Sequence, residues 1–199
     1  MKNRLIIFLF FFSSIFILSN CGPSNSQDKN GKVNQTTEKE YLEKGRKVAI
    51  KVQSVLGKNL MNAIQTKGTH GALRFCNEKA ITLTDSMSEE LNMLVKRVSD
   101  QNRNAGNTAN SMELEYIEKA KIEIEDNSSA TSQLQEINGK MVGYYPIMTN
   151  PMCLGCHGNP KSDINAKTNE VLQKTYPNDK AVGYLSNQLR GIWVIEMEK

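Results

Sequence analysis

The chain has 199 residues, 39% of them hydrophobic, with a formal charge of +4. That length suits one domain of ordinary size, and without Lys2 and Arg4 the charge falls to +2, too little to argue for nucleic acid as a partner. Cysteine and histidine are scarce, four and two residues, so any cluster of them stands out.

Residues 1–20 read as an export signal. "MKNR" is basic, and "LIIFLFFFSSIFILS" is an apolar run of about fifteen, the length of a signal h-region and short for a membrane-spanning helix. "LSNC" follows, ending at Cys21. This resembles the lipobox of bacterial lipoproteins, with Asn20 where Gly or Ala is more usual. The resemblance implies lipidation of Cys21 and an exported lipoprotein, periplasmic or on the cell surface, held on a membrane by its N-terminal lipid. The alternative for Cys21 is a plain thiol beside an ordinary cleavage site. Residues 21–36 are polar and cannot bury a core, so they are expected to form a flexible tether. The folded domain is expected over 37–199.

From Thr37, apolar residues recur at three- and four-residue steps through Leu42, Val48, Val52, Leu56, Leu60 and Ile64. This spacing predicts a helix, with Thr37 and Glu40 as its capping box, ending at "TKG" (66–68). Thr69 is expected to cap a second helix, "HGALRFCNEKAITLTDSMSEE". Its apolar face (Leu73, Cys76, Ala80, Leu83, Met87) turns Cys76 inward. "NMLVKRVSD" (92–100) alternates as a strand, and "QNRNAGNTANS" (101–111) is a loop. "MELEYIEKAKIEIED" predicts a helix. "SQLQEINGKMVGYYPIMT" predicts a hairpin turning at Asn138–Gly139. "SDINAKTNEVLQKTYP" predicts a helix capped by Ser162 or Asp163. "AVGYLSNQLRGIWVIEMEK" predicts two strands around Ser186–Asn187. Helices leading into an antiparallel sheet make the fold class α+β.

The stretch "TNPMCLGCHGNP" (149–160) carries Cys153, Cys156 and His157. This is the attachment pattern for c-type haem. Two thiols add to the two vinyl groups of the haem, so they must face one ring edge at a fixed separation. The histidine beside the second cysteine then reaches the iron. The motif predicts one haem per chain, covalent through Cys153 and Cys156, with His157 as an axial ligand. Other uses of C-x-x-C fit less well. A thioredoxin motif opens a helix after a strand, a zinc site needs a second ligand pair, and a disulfide across two residues is strained.

For the other face of the iron the chain offers His70, Cys76, Met148 and Met152. Met ligation suits electron-transfer cytochromes, but most methionines pack, and a cysteine on an apolar helix face is commonly a small core residue. His70 and Cys76 stand about 240° apart around a helix, so they cannot both face the haem.

The segments "GALRFCNEKA" (71–80), "NRNAGNTAN" (102–110), "YYPIMTNPMCLGCHG" (144–158) and "DKAVGYLSNQLRGIW" (179–193) are similar to a family of exported, PAS-like c-type haem proteins. These occur alone and as input domains of histidine kinases and chemoreceptors. The resemblance covers 37–199. It implies a PAS-like antiparallel sheet behind N-terminal helices, and iron held by His157 and by the thiolate of Cys76. It also brings Arg103 and Arg190 into consideration as haem neighbours, Arg103 at a propionate. A thiolate ligand implies a low potential and a ligand that reduction can release. The expected function is haem-based redox or gas sensing without catalysis. The rival is an electron-transfer cytochrome, and a peroxidase-like enzyme ranks last. No kinase, methyl-accepting or DNA-binding segment follows the last strand, so a signal is expected to pass to a separate protein partner.

Overall fold

The computed structural model describes residues 28–126 and 129–199. The export signal, the lipobox and Cys21 lie outside them. Among the described residues no helix is long and apolar enough to cross a membrane.

The first helix, α1 (Asp28–Glu78), is broken at Gly68, whose φ of 69° and ψ of 175° are not helical. The break falls where "TKG" predicts it. The helix begins earlier than expected, so Thr37 and Glu40 are interior positions and not a cap. Its first nine residues overlap the expected tether. Once a helix is nucleated by its packed part, each added residue brings one backbone hydrogen bond, and polar sequence can follow. Thr69 does not cap the segment 69–78 as predicted. Its hydroxyl lies 2.6 Å from that of Thr168 and accepts from Asn165 Nδ2 at 3.0 Å. A short irregularity at Lys79 separates this segment from α2 (Ala80–Leu91).

The remaining elements are β1 (Leu94–Val98), α3 (Ser111–Glu125), β2 (Gln133–Ile137), β3 (Lys140–Met148), α4 (Leu154–His157), α5 (Ala166–Thr175) and β4 (Leu189–Met197). The four strands form one antiparallel sheet in the order β1-β4-β3-β2. Asn138 and Gly139, both with positive φ, turn the β2–β3 hairpin as predicted. Residues alternate between the two faces of β4. Trp193, Ile195 and Met197 pack with Tyr145 against Val48, Val52 and Leu56 of α1 and Met87 of α2. Ile192 and Val194 pack with Val142 and Tyr144 against Tyr116, Ile117 and Ala120 of α3. The architecture is thus α+β, with N-terminal helices and an antiparallel sheet.

Two further expectations are corrected. Helix α5 is capped by Asn165, whose side chain accepts from Thr168 N, and not by Ser162 or Asp163. Asp163 instead accepts from Asn159 N at 2.7 Å. The stretch 181–199 contains one strand, not two. The backbone of 181–188 makes its bonds elsewhere: Gly183 N donates to Gly158 O, Tyr184 N to His157 O and Asn187 N to Thr149 O.

Candidate functional site

The C-x-x-C-H motif lies just beyond the end of β3. Buried Thr149 anchors this end by donating from Oγ1 to Leu185 O at 2.6 Å. Asn150 then caps a single 3-10 turn, Pro151–Cys153, accepting from Met152 N and Cys153 N. Helix α4 follows directly. The motif is therefore a short helical stretch in which Cys153, Cys156 and His157 stand at relative positions 0, 3 and 4, one side of a turn. All three described cysteines, these two and Cys76, are free thiols. Burial pushes the Cys156 thiol up to about 11, so it remains protonated at neutral pH.

The segment 181–184 positions His157. Its Nδ1 lies 2.7 Å from the Ala181 carbonyl. A carbonyl only accepts, so Nδ1 carries the proton and Nε2 keeps its lone pair. The ring is held in the tautomer that a metal ligand requires. Burial, then Arg190 and Arg103, hold the imidazole well below its ordinary value, against the opposing Ala181 bond. It is neutral in the folded chain.

A cleft of about 150 Å³ opens between the sheet and the helices. Cys76 and His157 both line it, with Leu60, Ile81, Ile147 and Tyr176 as apolar or aromatic wall. Segment 69–78 delivers Cys76, and the motif delivers His157 from the other chain region. Burial raises the Cys76 thiol, and Arg97 and Arg103 oppose that rise. The wall also contains three guanidinium groups, those of Arg97, Arg103 and Arg190.

The chain matches the Tll0287-like family model over residues 34–197. It belongs to the Tll0287-like family. Among solved structures it resembles the crystal structure described as that of the cyanobacterial haem protein Tll0287, at 18% identity and a TM-score of 0.60. The likeness covers 80% of this chain and 96% of that one, and at that identity it speaks for the fold. No curated protein matches the chain.

In this Tll0287-like chain the four candidates for a second axial ligand separate by position. His70 lines a different groove, with Lys67, Arg74 and Lys174. Met148 and Met152 are 39% and 49% exposed and do not line the cleft. Cys76 shares the cleft with His157. Arg103 also reaches the cleft wall, but its named bonds go to protein. It donates from Nε to Asp179 Oδ2 at 2.9 Å, and from Nη2 to Cys156 O at 2.6 Å and Ala181 O at 3.1 Å.

Arg97 was missed by sequence reasoning. It is deeply enclosed by protein yet solvent-accessible, as a group facing a cleft must be. It shares the helix-facing side of β1 with Val95, an inward position where a charge is uncommon.

The wall suits an anionic, metal-containing group. It offers a neutral imidazole with a free Nε2, a sulfur on the same cleft, an apolar lining, and guanidinium groups that include one buried polar atom without a partner, Arg190 Nε.

Proposed function

We propose that this chain binds one haem in the cleft, covalently through Cys153 and Cys156, with His157 Nε2 and the Cys76 sulfur as its axial ligands. The observation that carries this reading is the convergence of Cys76 and His157 on one cleft, with His157 following, in the sequence, two free thiols at attachment spacing. The name of the Tll0287 structure, a haem protein, supports it. A haem so held supplies one-electron chemistry and, where a ligand leaves, a site for a small gas.

The residues of this chain then divide the work. The Ala181 carbonyl fixes the His157 tautomer. Arg103 holds the backbone beneath the motif. Segment 69–78, set off from the rest of α1 at Gly68, carries the sulfur. We read the function as redox or gas sensing without catalysis, with Cys76 and its helix segment as the moving part and a separate protein as receiver. The setting is an exported lipoprotein anchored through Cys21. The alternative is an electron-transfer cytochrome, favoured by unchanged ligation in both oxidation states.

The test is the absorption spectrum of the mature protein, matured with c-type haem attachment, in ferric and ferrous forms beside Cys76→Ala. Thiolate charge-transfer bands lost in Cys76→Ala, with a spectrum that turns high-spin on reduction, support the sensor. Identical low-spin spectra in wild type and variant make Cys76 a packing residue and favour the electron carrier.

A further inference from the structure

Among the described residues, two of the three guanidinium groups in the cleft form no ion pair. Arg103 is neutralised by Asp179, and the pair is nearly buried, 9% and 11% exposed. Arg97 has no carboxylate or hydrogen-bond partner among the described residues, and its contact is the Trp193 ring, 5.9 Å from centroid to guanidinium carbon. Arg190 donates from Nη1 to Ser99 Oγ at 3.1 Å and to Gln101 O at 3.2 Å. Its Nε is buried and unpartnered, and among the described residues it forms no ion pair, Asp179 acting on it only at longer range.

Arg97 and Arg190 stand on the neighbouring strands β1 and β4, close enough to repel: Arg97 is among the charges that lower Arg190. Like charges left together in a partly desolvated wall are costly unless an anion compensates them. Guanidinium groups are suited to carboxylates, which they bind through paired N–H donors. Two uncompensated cations call for two negative charges.

We propose that Arg97 and Arg190 are the carboxylate-recognition pair of the cleft, receiving the two propionate groups of the haem. This assignment rests on the haem reading above. It gives Arg103 a different task, holding the motif, and it gives the orphaned Nε of Arg190 a partner.

The test uses the full mature chain as Cys153→Ala/Cys156→Ala, so that binding is reversible. It is titrated with haemin and with haemin dimethyl ester, whose carboxylates are masked. The diacid is expected to bind at least about tenfold more tightly, and Arg97→Gln or Arg190→Gln each to reduce that preference by about tenfold, the weight of one charge-assisted hydrogen bond. Where a Gln variant fails to fold, Arg190→Lys and Arg97→Lys keep the charge, and loss of the fork donors still lowers the preference. Equal binding of diacid and diester overturns the assignment. So does a preference unchanged in both arginine variants. Binding of neither form, with the chain folded, overturns the haem reading itself. If inorganic phosphate stabilises the chain through these arginines while diacid and diester bind equally, the pair is a free-anion site and the assignment falls.

Discussion

Arg103 donates from Nη2 to the carbonyl of Cys156 across 2.6 Å, so a residue from the loop after β1 holds the backbone between the second cysteine and the histidine of the motif. The same guanidinium bonds Ala181 O, the carbonyl on which His157 Nδ1 rests. Asp179 completes the arrangement, pairing with Arg103 Nε and accepting from Ala181 N at 2.8 Å. One side chain thus ties together the loop, the motif and segment 179–181.

Removing it leaves Asp179 buried without its cation. Arg103→Ala is expected to destabilise the chain by about 3 kcal/mol or more, read by urea denaturation. Arg103→Lys should recover only part of the loss, because one ammonium cannot reproduce donors aimed at three acceptors. Full recovery with Lys would mean that charge alone matters here.

Gly68 has φ 69° and ψ 175°, a region essentially closed to residues with a Cβ. Gly68→Ala is expected to cost about 1–3 kcal/mol, and its new methyl would lie near the His70 ring. The thermal midpoint should fall. An unchanged midpoint would show that the break between the two parts of α1 can be made with ordinary backbone angles.

Tyr145 crosses from β3 to α1 and donates its hydroxyl to Leu42 O at 3.1 Å. Its ring and hydroxyl occupy the space that a Cβ at Gly45 would need. Tyr145→Phe should cost about 1 kcal/mol. Gly45→Ala should cost more, about 1–3 kcal/mol, through overpacking. The two are compared by chemical denaturation, and a Gly45→Ala chain as stable as wild type would show that α1 can shift away from the sheet.

The haem-free chain should lose stability in acid through His157. Its folded value lies well below the ordinary 6.5, so below that pH the unfolded chain binds the proton and the folded chain does not. Stability therefore rises with pH across this window and falls as pH drops from 6.5 toward the folded value. In the alkaline range Cys156 acts in the opposite direction. Its thiol, raised from 9.0 to about 11, contributes stability that is complete below the unfolded value and lost as pH climbs through the folded one. Thermal midpoints across pH check both, and a His157→Gln chain should lose the acid slope that belongs to this residue.

What could be read along the chain was what is local. The Asn138–Gly139 turn and the break at Gly68 are each set by a few adjacent residues, and each lies where the pattern puts it. The caps expected at Thr69 and Asp163 failed because each side chain has another partner. Thr69 spends its hydroxyl on α5, and Asp163 turns back to Asn159. Segment 181–188 has strand-like composition, but the motif takes its backbone groups. Arg97 escaped because "LVKRV" alternates equally well in either phase, and only the packed sheet decides that Arg97, not Lys96, faces the helices. Lys96 is on the other side, 2.6 Å from the buried carboxylate of Glu113.

The walls of the cleft are drawn from distant parts of the chain. Cys153, Cys156 and His157 fall within five consecutive residues, whereas Cys76 stands 81 positions before His157 and Arg190 stands 33 after it. On the proposed reading, the attachment residues can meet their chemistry on an unfolded chain, because their spacing is local. The sulfur of Cys76 and the arginines arrive only when β4 has paired with β1 and the helices have closed over the sheet, after the entropy of long loops has been overcome. On the proposed haem reading, assembly acquires a direction in time, with tethering first and enclosure afterwards, and a disc fixed at the motif would give the late-arriving segments an apolar surface to condense upon.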